Sequence, residues 1–284
     1  MYQEHWGFKE KPFENTPDPR FMYYSVEHEE ALMRLLYAVR EKKGAAMLSG
    51  EYGSGKTLLS RVVMAKLLNE DDRYRVALIV NPAIPKEELL AEIVYQFGQE
   101  ITKEESKSEL LHKLNSLLYR NMNDKRHSVI IIDEAQTIED EATLEELRLL
   151  LNFQLNEMFL LTLLLIGQPE LKDKIDKLPQ LRQRMSIRYH LKTLDANETA
   201  QYIRHRCRVA GKEESPFSDK AIGLIYDASG GVPREINNLC DLCLVIGLGE
   251  KVNLINEDIA SQVIRDIKPG IGLSDNLVME EQDG

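Results

Sequence analysis

The chain has 284 residues, 43% of them apolar and 29% charged, with a formal net charge of -11. This composition argues for a globular protein rather than a disordered or membrane one, and the acidic total argues against a surface that grips nucleic acid all over while leaving room for a local basic face. The longest apolar run, Met158 to Gly167, is roughly half of what a bilayer-crossing helix needs, and Met1 to Trp6 lacks the order of a signal peptide. The length predicts one large and one small domain. Three cysteines cannot build a disulfide framework, which suits a reducing cytoplasm. Cys240 and Cys243 have C-x-x-C spacing inside a helical pattern with no second ligand pair, and read as small packing residues rather than a zinc or redox site.

Residues 1–25 are irregular, with Trp6, Phe8, Phe13, Phe21, Tyr23 and Tyr24 set among Pro12, Pro17 and Pro19. Such a segment docks through its rings, because alone it could not offset its ordering entropy. Its position ahead of the glycine-rich loop places it either against an adenine or in ordinary packing. Val26 to Arg40 is an amphipathic helix through Ala31, Leu32, Leu35, Leu36 and Val39, with Ser25 as N-cap.

Ala45 to Ser49 reads as a buried strand and Thr57 to Leu68 as a helix. Between them Gly50-Glu51-Tyr52-Gly53-Ser54-Gly55-Lys56-Thr57 fits the phosphate-binding loop pattern at every fixed position. A triphosphate needs several donors converging on its oxygens, and consecutive N–H groups at a helix N-terminus supply them without moving. Gly53 and Gly55 permit the curl, Lys56 adds a point charge at the β- and γ-phosphates, and Thr57 is placed to bind Mg²⁺. The expected cofactor-binding set is Gly50, Gly53, Ser54, Gly55, Lys56, Thr57, Leu58 and Asp133, with ATP and Mg²⁺ as cofactors.

Arg75 to Asn81 is a further buried strand, followed by helical patterns from Pro85 to about Phe97 and from Glu104 to Tyr119. Ser128 to Ile132 is wholly apolar after its first residue and ends in Asp133-Glu134. A strand apolar on both faces belongs in a parallel sheet covered by helices, and its carboxyl end is where such sheets bind ligands. Asp133 is therefore expected to join Thr57 at Mg²⁺, and Glu134 to orient and deprotonate the attacking water.

Thr143 to Asn156 is a leucine-rich helix and Leu160 to Ile166 a strand running into Gly167-Gln168-Pro169. Gln168 at that strand end is either a turn residue or an amide contacting the γ-phosphate. Arg184 to Leu191 alternates like a last strand, preceded by Pro179 to Gln183. Beyond Asp195 the strands stop, and 197–210, 218–228, 233–248 and 256–266 are helical patterns. The fold class is α/β, a three-layer domain around a parallel sheet followed by a small all-helical domain, divided as 1–193, 194–268 and an acidic, disordered tail 269–284.

The phosphate loop, Asp133-Glu134, Gln168, an arginine before the last strand and Gly231-Val232-Pro233-Arg234 together resemble the AAA+ ATPases. Within that class His5-Trp6-Gly7-Phe8, Thr16-Pro17-Asp18-Pro19-Arg20-Phe21, His28, Gly167 to Leu171, Leu181 to Arg184 and Gly230 to Asn237 resemble the general secretion pathway protein A group. The resemblance implies that Gln168 is the sensor-1 residue, that Arg234 is the sensor-2 arginine of a helical lid, and that Arg184 or, after it, Arg182 is the arginine finger. It also implies a homo-oligomer, since a finger acts from a neighbouring subunit. Longer secretion-type relatives continue into a membrane-spanning helix and a periplasmic domain that this sequence lacks, so cytoplasmic partners are expected, with at most a peripheral place at the inner membrane.

The leading functional expectation is an oligomeric ATPase that remodels or assembles a protein machine of the secretion or pilus type. The alternative is an ATP-dependent DNA-binding regulator of the transposition type, for which Arg182, Arg184, Arg188, Arg204, His205, Arg206 and Arg208 form a basic set. A scaffold that binds nucleotide without hydrolysis is disfavoured, because both Lys56 and Glu134 are present.

Overall fold

The computed structural model of the chain describes residues 2–70, 72–102, 105–155 and 158–267. Residues 269–284, expected to form a tail, lie outside the described residues. After a short helix α1 (Tyr2–Trp6), the chain runs through α2 (Val26–Arg40), β1 (Ala45–Gly50), α3 (Lys56–Leu68), β2 (Tyr74–Ile79), α4 (Lys86–Gln96), α5 (Lys107–Asn123), β3 (His127–Ile132) and α6 (Glu141–Leu150). A small hairpin of β4 (Gln154–Leu155) and β5 (Met158–Phe159) follows, then β6 (Leu161–Gly167), α7 (Glu170–Asp176), α8 (Pro179–Arg184) and β7 (Met185–Leu191). Among the described residues four helices follow: α9 (Ala196–Val209), α10 (Asp219–Ser229), α11 (Pro233–Gly249) and α12 (Glu257–Ile267). Among the described residues no helix is long and apolar enough to cross a membrane.

These elements form two compact units, Pro17–Lys192 and a second that joins the described residues up to Thr16 with those from Thr193 to Ile267. The first unit is built on a five-stranded sheet in the order β2-β3-β6-β1-β7, with every pairing parallel. Strand side chains alternate between faces. Ala45, Met47, Ile130, Ile132, Leu163 and Leu165 face a core with α4 to α8, through Leu90, Ile93, Leu114, Leu147, Leu171 and Leu181. Their neighbours Ala46, Leu48, Val129, Ile131, Leu164 and Ile166 face α2 and α3, through Leu35, Val39, Leu59 and Val63. Burial on both faces is why the strands read as continuous apolar runs. Because β6 lies between β1 and β3, the carboxyl ends of these three strands come together where the chain order reverses, the usual ligand position in open α/β sheets.

The first sixteen residues, expected to belong with the α/β domain 1–193, group instead with the helices that follow Lys192. Tyr2, Trp6, Phe8 and Phe13 are buried there, and the Trp6 indole N–H donates to the Leu244 carbonyl of α11 at 2.9 Å. Arg206 of α9 donates from Nε to the Pro12 carbonyl at 2.5 Å and from Nη2 to the Glu14 carbonyl at 2.8 Å. A segment too short to fold alone thus closes over the apolar faces of α9 and α11. Phe21 and Met22 are buried in the α/β unit instead. Cys240 and Cys243 lie in the helical core, where burial pushes both thiols up, Cys243 to about 12.

The single tryptophan therefore reports on the helical unit alone. Trp6→Ala removes a buried ring and an indole hydrogen bond, and is expected to cost that unit about 3–5 kcal/mol. Denaturant unfolding followed by helical circular dichroism checks this, with the early transition assigned to the helical unit.

Candidate functional site

The chain leaves β1 at Gly50 and turns into α3 with no side-chain cap; the residue before the helix, Gly55, has φ +97°. At that angle an L side chain is strained, and a Cβ there would lie 3.1 Å from His28 Nε2. His28, buried in the first turn of α2, has Nε2 3.0 Å from the Ser54 carbonyl oxygen and Nδ1 2.7 Å from Ser25 Oγ. A carbonyl only accepts, so Nε2 carries the proton and Nδ1 accepts from the Ser25 hydroxyl. Because the peptide is planar and trans, fixing the Ser54 carbonyl on one side turns the Gly55 N–H to the other.

Lys56 opens α3 and is almost wholly buried; its ammonium donates to the Gly50 carbonyl at 2.8 Å and the Glu51 carbonyl at 2.7 Å. Burial lowers its proton affinity, and the nearby carboxylates of Glu134, Asp133, Glu51 and Glu170 oppose that shift. Asp133, directly after β3, is 3% exposed. Its Oδ1 accepts the Glu134 N–H at 3.0 Å, its Oδ2 accepts from Ser60 Oγ at 3.4 Å, and the Thr57 hydroxyl also donates to it. Burial raises the Asp133 carboxyl above the usual carboxylate range, and these hydrogen bonds counter it only in part.

These residues fit the expected cofactors. A run of N–H groups opening α3 beside a buried ammonium suits a triphosphate, and a desolvated carboxylate bonded to a threonine hydroxyl suits a hard divalent cation. The raised Asp133 carboxyl carries a pH consequence. The folded chain holds that proton more tightly than the unfolded chain, so the contribution to stability is fully present below the ordinary carboxylate value and is lost as pH rises through the raised one. At neutral pH Asp133→Asn is therefore expected to raise the Tm of the chain measured without nucleotide, by a margin that shrinks toward pH 4. The same variant should abolish the extra Tm gain that Mg²⁺ adds to ATP. Thermal unfolding at the two pH values checks both, and a lower Tm at pH 7 contradicts the electrostatic reading.

Glu134 stands at φ +51°, a left-handed conformation uncommon outside glycine. Its Oε2 accepts from Gln136 Nε2 at 2.6 Å. Gln168 follows the end of β6, and its backbone N–H donates to Gln136 Oε1 at 2.9 Å. Leu58 is partly buried against the α2–α3 core, so only its backbone is available to a ligand. The first unit thus gathers Lys56, Thr57, Asp133, Glu134 and Gln168 at one sheet end.

The two finger candidates differ. Arg184 reaches Asn152 Oδ1 at 3.4 Å and lies 5.8 Å from the Phe159 ring centroid. Arg182 is exposed, and its side chain makes no hydrogen bond or ion pair among the described residues. Arg234 belongs to the helical unit, part-buried in the first turn of α11.

The sequence left four contributors to this site without a role. Ser60 lies one helical turn beyond Thr57, a spacing that could have found it. His28 entered only as part of the family pattern, and Gln136 and Lys174 carry no periodic or motif signal. Lys174 of α7 donates to the Gln136 carbonyl at 2.6 Å and the Ile138 carbonyl at 2.7 Å.

The family described as AAA domain matches residues 39–175. General secretion pathway protein A of Aeromonas hydrophila is 38% identical over 247 residues, which are 86% of this chain and 44% of that protein, so the chain spans about half of that relative's length. Among solved structures, the Aeropyrum pernix ORC2 protein (ADPNP-ADP complexes) superposes with a TM-score of 0.70 at 19% identity, covering 91% of this chain and 72% of the other. The Aeropyrum pernix ORC1 protein in complex with DNA does so with a TM-score of 0.69 at 16% identity, covering 90% and 69%. The chain has the AAA+ P-loop fold, carries a match to the AAA domain family over residues 39–175, and resembles general secretion pathway protein A in sequence.

Proposed function

We propose that the chain binds ATP with Mg²⁺ and hydrolyses it, completing its catalytic site at the contact between two copies, to remodel or assemble a protein machine. The observation that carries the chemical part is the buried Lys56 ammonium at the start of α3, set among the carboxylates of Asp133 and Glu134. Thr57 and Asp133 would hold Mg²⁺, which when bound neutralises charge on the phosphate oxygens. Lys56 and the N–H groups from Gly53 to Leu58 hold the β- and γ-phosphates. Glu134 orients a water and takes its proton as the water oxygen bonds to the γ-phosphorus; the bond to the β–γ bridging oxygen breaks and ADP leaves. Gln168 lies at the neighbouring strand end, where its amide can meet the γ-phosphate or that water. Arg234 serves, by the resemblance, as the sensor of the helical unit.

The geometry favours Arg182 over Arg184 as the residue presented to a neighbouring copy. A finger must reach out of its own subunit, and Arg184 is already engaged by Asn152 and Phe159. Arg182→Ala is expected to keep ATP binding and lose roughly 10³-fold or more in turnover, and mixing it with Glu134→Gln subunits should restore part of the rate. Arg184→Ala should stay within a few-fold of the wild type. Phosphate release by the single variants and the mixture decides it; the opposite pattern returns the role to Arg184.

The likeness to general secretion pathway protein A supports a secretion or pilus setting, on the cytoplasmic side and peripheral to the inner membrane through partners. The second reading, DNA binding, has the likeness to an ORC1 protein in complex with DNA behind it. Most of the basic set expected to serve it is paired or buried within its own unit. Arg188, Arg204 and Arg208 pair with Asp176, Asp219 and Glu213, and Arg206 is buried. Salt-dependent retention of duplex DNA would favour the second reading, since phosphate contacts release counterions.

A further inference from the structure

We infer that Gln136 is a positioning residue for Glu134, tying its carboxylate to the end of β6 so that the strand carrying Gln168 sets where the base stands. The inference rests on the hydrolytic reading above. Gln136 Nε2 donates to Glu134 Oε2 at 2.6 Å, while Gln136 Oε1 accepts the Gln168 N–H at 2.9 Å. The amide has one orientation available. A carboxylate can only accept and a backbone N–H can only donate, so a flipped amide would oppose like groups at both ends.

Two independent features seat it. A Cβ on Gly167 would lie 2.5 Å from Gln136 Oε1 and 3.2 Å from the Gln136 backbone nitrogen, so the last residue of β6 leaves the space the amide fills. The main chain of Gln136 is fastened as well, through Lys174 Nζ to its carbonyl at 2.6 Å and to that of Ile138 at 2.7 Å. Glu134 itself departs from β3 at φ +51°, a conformation that does not by itself fix where its side chain goes. With Oε2 held by the amide, Oε1 is the oxygen left for the proton of the attacking water. Any shift of β6 against β3 reaches Glu134 through one side chain.

The decisive variant is Gln136→Glu, which keeps the length of the side chain and an oxygen for the Gln168 N–H but sets a carboxylate against Glu134. A merely structural role tolerates it. A positioning role predicts a kcat about 10–100-fold lower with the Kd for ATP within about threefold of the wild type. Gly167→Ala, which fills the amide's seat and leaves both reacting groups in place, should lower kcat in the same way. Because Gln136 acts through Glu134, Gln136→Leu should cost nothing further in a Glu134→Gln background. Turnover of Gln136→Glu within threefold of the wild type, or an additive loss in the double variant, overturns the inference while wild-type turnover leaves the hydrolytic reading standing. A wild-type chain that holds ATP and releases no phosphate overturns both.

Discussion

Glu134→Gln is expected to bind ATP at least as tightly as the wild type and to turn it over about 10²–10⁴-fold more slowly, the usual contribution of a positioned general base. Binding survives because the groups proposed for the phosphates, the N–H groups opening α3 and the Lys56 ammonium, and those proposed for Mg²⁺, the Thr57 hydroxyl and Asp133, are untouched. Removing one negative charge from a pocket that receives a triphosphate can only favour the ligand. The amide is nearly isosteric and keeps an oxygen for Gln136 Nε2, so the loop after β3 has no reason to rearrange. What is lost is the acceptor for the water's proton, and the assembled, ATP-bound state should accumulate. Single-turnover phosphate release beside equilibrium ATP binding separates the two effects. A parallel loss of binding and turnover would mean that Glu134 shapes the pocket instead of acting on the water.

Lys56→Ala is expected to fail at the earlier step. A charge-assisted contact to phosphate contributes about 1.5–3 kcal/mol, so its loss alone weakens ATP binding by roughly 10–150-fold. The structure adds a second cost. The same ammonium donates to the Gly50 and Glu51 carbonyls and so ties the entry of the loop to the start of α3. With alanine those carbonyls lose their donor and the curl of the loop loses a brace. Turnover should therefore be undetectable at ATP concentrations that saturate Glu134→Gln. Calorimetric titration of both variants checks the contrast, and equal affinities would remove Lys56 from the phosphate site.

Much of the α/β unit was legible because burial on both sheet faces leaves an unmistakable trace. The run Val129 to Ile132 and the run Leu161 to Ile166 allow little besides central parallel strands, and acidic residues after the first could face only a ligand-bearing edge. Contacts made across long separations were not legible. Helix α1 is five residues long and has no period; it exists because Trp6 finds α11 some 240 positions later. The helix expected to run from Thr143 to Asn156 stops at Leu150, because Leu151 and Phe153 turn into the core ahead of the hairpin while still fitting a helical spacing. Arg206 fell into the basic set because the carbonyls that bury it carry no sequence signal. Gln136 shows the same limit within the site, since its partner Gln168 is 32 positions away and offers only a backbone N–H.

The proposed activity depends on the helix-start cradle and the buried acidic strand end acting together on one ligand. Calorimetric titration of the wild-type chain with ATP, once in Mg²⁺ and once in EDTA, tests that most directly. One saturable site per chain in Mg²⁺, weakened by about tenfold or more in EDTA, is the predicted result. Saturable binding indifferent to the cation, or none in its presence, would contradict the assignment of Thr57 and Asp133 and with it the catalytic reading.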